Sequence, residues 1–145
     1  MTETADKSYI IPVEQLKTAL IVIDGTETIR KIAEVLSAAL KGYQTRICPV
    51  ESFAGTDLLA AHAIFIGCES PQPASFAYLD QMLAHINLSG RPGGIFSTDK
   101  KALKYLSTMI AASGINTGDP LLITDITTVT ATVKKWTQTI PAGGF

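Results

Sequence analysis

The chain alternates between short unbroken apolar runs and stretches where apolar residues return every three or four positions. An unbroken run marks a strand buried on both faces, and the i, i+3, i+4, i+7 stripe marks a helix with one buried side. "TALIVID" (18–24) is the first run, and Ile29, Ile32, Ala33, Leu36 and Leu40 form the first stripe, ending at Gly42. "YQTRICPV" alternates and contains Pro49, which a central strand tolerates poorly, so it reads as an edge strand. "GTDLLAAH" is a short helical turn and "AIFIG" (63–67) a second buried strand. Phe76, Leu79, Met82, Leu83 and Ile86 give the next helix, stopped at Gly90, and "GGIFST" a fourth strand. Leu103, Leu106, Met109 and Ile110 line a third long helix ending at Gly114, and "DPLLITD" is a fifth strand. Ile126, Val129, Val133 and Trp136 line a last helix, stopped by Pro141. Such regular alternation predicts an α/β domain, a parallel sheet covered by helices on both faces.

The totals narrow the function classes. A chain of 145 residues, 46% apolar and 17% charged, is expected to be one globular domain. Residues 1–16 fall outside the alternating pattern and read as an N-terminal extension, with 17–145 as the domain. Twelve basic and thirteen acidic residues leave a net charge of -1, with no basic stripe for nucleic acid and no polybasic segment for a membrane. The apolar runs are too short to span a bilayer, and the first residues show no secretion-signal pattern. Cys48 and Cys68 are therefore expected to be reduced thiols in a cytoplasmic protein. His62 and His85 lie outside ligand spacing with either cysteine, so no metal centre is predicted.

In an open parallel sheet, ligands sit outside the carboxyl ends of the strands, near the point where strand order reverses. That rule singles out three loops: Asp24 to Thr28, Gly67 to Ser75, and Ser97 to Lys101. In the first, "DGTET" reads either as a phosphate-gripping turn or as a plain helix start capped by Asp24 or Thr26. "GCESPQPAS" reads as a ligand-edge loop or as a proline-shaped surface loop, and Cys68 there lacks a base to make it a nucleophile. "STDKKA" reads as a ring-facing loop with lysines nearby or as a helix cap.

"IRKIAEVLSAALKG" and "DLLAAHAIFIGCESPQPASFAYLDQMLAHINLSGRPGGIFST" resemble the corresponding pieces of flavodoxins, and the likeness runs from Lys17 to about Ile140. The resemblance implies a doubly wound three-layer sandwich with a five-stranded parallel sheet in the order 2-1-3-4-5. It also implies non-covalent FMN and electron transfer to a redox partner protein, a reductase or an acceptor. Carried over by position, Gly25, Thr26, Glu27 and Thr28 stand where the family grips the phosphate. Cys68, Glu69, Ser70 and Pro71, with Ser97, Thr98 and Asp99, stand where it flanks the flavin ring. The chain departs from the family in a shorter and more acidic first loop, with Glu27 about where a glycine is usual. Neither later loop contains the usual Trp or Tyr. The second expectation is thus a flavodoxin-like interaction or regulatory module without a cofactor, and a third is an enzyme using another phosphorylated ligand. A receiver domain shares the strand order, but it needs an Asp at the end of the third strand and a Lys after the fifth. This chain has Gly67 and Asp125 there.

Overall fold

The computed structural model describes residues 17–140. The N-terminal extension at 1–16, the Pro141 stop and the residues after it lie outside the described residues. In chain order the elements are β1 (Lys17–Ile23), α1 (Glu27–Ala39), β2 (Tyr43–Pro49), α2 (Gly55–Ala60) and β3 (Ala63–Gly67). They continue with α3 (Ala77–His85), β4 (Pro92–Ser97), α4 (Lys100–Ala111), β5 (Asn116–Thr117), β6 (Leu121–Leu122) and α5 (Val129–Thr137).

All strand pairs are parallel, in the order β2-β1-β3-β4-β5, with β6 also on β4. This is the 2-1-3-4-5 order of the flavodoxin-like fold, and β2 is the edge strand expected from Pro49. The fifth strand differs from the expected single run. Asn116–Thr117 pair with Pro92–Gly93, and Leu121–Leu122 pair with Phe96–Ser97. Between the two pieces stand Gly118, Asp119 and Pro120, and a proline has no N–H to give a ladder.

Alternation along the strands builds two cores. Leu20, Val22, Ile64 and Ile66 face one side, where α2, α3 and α4 cover them with Leu58, Leu79, Leu83 and Leu106. Ala19, Ile21, Ile23 and Phe65 face the other, under Ile29, Ile32 and Leu36 of α1 and Val133 and Trp136 of α5. Burying each large apolar side chain contributes roughly 1.5–3 kcal/mol. The glycines of β4 make room for this packing: a Cβ on Gly94 would stand 2.6 Å from the Trp136 ring.

Two helix boundaries differ from the sequence reading. α3 stops at His85, and Ile86 is already extended (φ −119, ψ 143). The chain then carries Leu88 into the core, its amide donating to the Ser113 carbonyl. Ile126 is 40% exposed rather than on the last helix's buried stripe. Asp125 accepts from the Thr127 amide and hydroxyl, closing a single 3-10 turn before α5 begins.

Candidate functional site

The carboxyl ends of β1, β3 and β4 bring the three loops together. Ile23 lies opposite Gly67, and Gly67 opposite Phe96, so Asp24, Cys68 and Ser97 follow on adjacent strands. β1 passes into α1 through only Asp24, Gly25 and Thr26, and Gly25 makes the reversal in the left-handed region (φ +88) that favours glycine.

Asp24 fills the middle of this turn. Its Oδ1 accepts from the Thr26 amide at 3.1 Å and from the Thr26 hydroxyl at 2.9 Å. Its Oδ2 accepts from the Glu69 amide at 2.7 Å, joining the first loop to the second. Glu69 in turn accepts from the Thr98 hydroxyl at 3.4 Å, reaching the third loop. The chain Thr26–Asp24–Glu69–Thr98 thus ties all three together. Thr26 is the N-cap of α1, yet its side chain makes no cap bond. Its hydroxyl goes to Asp24 instead.

The other expected site residues divide. Ser97 is buried and accepts from the Asp99 amide at 3.0 Å. Asp99 is the N-cap of α4, accepting from the Lys101 amide at 3.2 Å, so here the helix-cap reading of the loop describes the geometry. The Cys68 thiol donates to the Ser70 carbonyl at 3.3 Å. Burial, with the nearby Asp24 and Asp99 charges, pushes its pKa up to about 12, which keeps it from acting as a thiolate nucleophile. Gly25, Glu27, Ser70 and Pro71 are exposed, and Thr28 is half-buried in the first turn of α1. Among the described residues no group of His, Cys, Asp or Glu could hold a metal ion.

Asp24 reads from the sequence as a possible cap and as a carboxylate opposing a phosphate, and the structure places it at the centre of the bonds that join the first two loops. The signal was an aspartate directly after a buried strand and before a glycine. What the sequence could not supply was Glu69, whose amide stands 45 residues away in the chain.

The donors for a phosphate are taken in part. Such a site needs free amides and hydroxyls around a dianion, and here Thr26 N, Thr26 Oγ1 and Glu69 N already serve a carboxylate, while the first amides of α1 carry no side-chain cap. Asp24, Glu27, Glu69 and Asp99 stand around the same strand ends, with Lys100 and Lys101 following Asp99 at the start of α4, and among the described residues the one ion pair is Arg46–Asp57 on β2.

No protein-family model matches the chain, and no curated protein does. Solved structures do. Flavodoxin 2 from Bacillus cereus is 15% identical with a TM-score of 0.70, over 83% of this chain and 98% of that one. A flavodoxin from the domain Archaea is 18% identical with a TM-score of 0.68, over 83% of this chain and 96% of that one. A Fusobacterium nucleatum flavodoxin variant bound to flavin mononucleotide is 13% identical with a TM-score of 0.65, over 86% of this chain and 95% of that one. The chain has the flavodoxin-like fold. Among its described residues, no helix is long and apolar enough to cross a membrane.

Proposed function

We propose that this chain is a flavodoxin-like module that works without FMN, as an interaction or regulatory domain. One observation carries the reading: the Asp24 carboxylate occupies two amides and a hydroxyl at the loop where a flavin phosphate would bind. The absence of an aromatic residue from 67–75 and from 97–101 supports it, because a flavin ring there would have no stacking partner.

A fluorescence titration of FMN with the purified protein tests this. The expected result is no saturable quenching at high micromolar protein. Saturable quenching with a micromolar or lower dissociation constant would overturn the proposal. Asp24→Ser checks the cause, since it removes the competing carboxylate and supplies a hydroxyl. FMN binding should strengthen at least tenfold over the parent chain, and no gain would show that Asp24 is not what excludes the phosphate.

The second reading is an FMN-dependent electron carrier acting with a redox partner protein. Its support is the flavodoxin likeness over most of the chain and the clustering of three loops at the carboxyl end of the sheet. It predicts a yellow protein with flavin absorbance, which the same purification reads directly.

A further inference from the structure

We propose that the groove between α1 and α5 docks an acidic amphipathic helix of a partner protein. This rests on the interaction reading above and gives the partner a chemistry.

The groove has a volume of about 420 Å³ and lies on the sheet face that α1 and α5 cover. Val35, Ala38 and Ala39 form its α1 wall, and Thr130 and Thr137 belong to its α5 wall. Thr137 donates its hydroxyl to the Lys134 carbonyl at 2.8 Å, and Thr130 and Gln138 are the other uncharged polar residues of the lining. The two alanines keep the wall low, which lets side chains from outside reach Val35.

Charge selects the occupant. Lys41 and Lys134 line the groove, and no carboxylate does. Neither lysine is in an ion pair among the described residues. Glu27 opens α1, whereas Lys41 stands just past its end, roughly 20 Å away for a helix of this length. A groove lined by two lysines and no carboxylate attracts an acidic partner to this end of α1.

Geometry selects a helix. Both walls are helices, whose backbone groups are already bonded within each helix. An added strand would find no ladder here, whereas a helix brings its own backbone bonds and needs only an apolar stripe and flanking charges.

The test uses the full chain and two fluorescent 16-residue helical peptides with leucines at i, i+3, i+4 and i+7. One carries glutamates on the flanking positions, the other lysines. Anisotropy should show the glutamate peptide binding at least tenfold more tightly than the lysine peptide, with affinity falling as salt rises. Lys134→Glu should remove most of that preference, and Ala38→Trp, which fills the groove, should abolish binding. Both substitutions lie on the surface, and circular dichroism verifies their fold. Equal affinity for the two peptides, or binding untouched by both variants, would overturn the proposal. So would a dimer in sedimentation that Lys134→Glu dissociates, because a second copy would then be the occupant. FMN titration reads the opposite end of α1, so failure of the cofactor-free reading and failure of this groove are separately visible.

Discussion

Cys68 and Asp24 follow paired residues on adjacent strands, and each constrains the other's chemistry. Burial and the carboxylates of Asp24 and Asp99 raise the Cys68 thiol from 9.0 to about 12. The protonated thiol is the neutral form, so the folded chain keeps this proton after the unfolded chain has lost it. The stabilisation is complete below pH 9 and disappears as pH rises toward 12, with a slope of at most about 1.4 kcal/mol per pH unit. Burial also raises Cys48, Tyr43 and Tyr105, and their contributions run in the same direction. Urea midpoints measured from pH 8 to pH 11 should therefore fall, and Cys68→Ala should make the fall shallower. Parallel curves for the two chains would show that Cys68 does not titrate in this window. The sequence located this pair at strand ends but left open what Asp24 binds. That outcome depends on β3 lying beside β1, which no local pattern encodes.

At the scale of elements, α2 shows how a helix too short to stand by itself is held. Its six residues bury only Leu58. At its start, Asp57 accepts from the Ala54 amide at 3.0 Å and from the Arg46 guanidinium at 2.8 Å, and these two donors, in that order, hold its carboxyl below the usual value. At its end, the Arg91 guanidinium donates to the carbonyls of Leu58, Leu59 and Ala61 at 2.8, 3.0 and 2.9 Å. The last carbonyls of a helix lack the full set of intrahelical partners, and among the described residues only Leu58 of these three also accepts a backbone amide, that of Ala61. Arg91→Ala should cost about 1.5–3 kcal/mol, the range for bonds from a charged donor, read as a shift in urea midpoint. Exchange at the α2 amides should rise in the same variant, and a midpoint within 0.5 kcal/mol of the parent would assign the helix's stability elsewhere. Strand and helix identities were legible because an unbroken apolar run and a 3.6-residue stripe are local properties. The boundaries at Ile86 and Ile126 were not. Leu88 leaves the helix to meet Ser113, and Asp125 closes a turn whose apolar residue faces solvent.

Over the whole molecule, Trp136 connects the break in the fifth strand to one face of the sheet. Its indole N–H donates to the Asp119 carbonyl at 2.7 Å, inside the Gly118–Pro120 interruption. Its ring stands edge-on to Phe65, centroids 6.0 Å apart, and over Gly94. The last helix, the interrupted strand and the central strands β3 and β4 are therefore one packed unit. A single domain of this size is expected to unfold in one step, and Trp136 is the chain's one tryptophan. Its fluorescence should follow the same urea transition as the far-UV helical signal. Trp136→Phe should lower that midpoint by roughly 1–3 kcal/mol, since it leaves the Asp119 carbonyl without its donor and a void above Gly94. A fluorescence transition that precedes the helical one would mean that α5 and the fifth strand undock while the rest of the sheet stays folded. In that case the Trp136–Asp119 bond holds a separable edge, and the groove beside α5 would open at lower denaturant than the core.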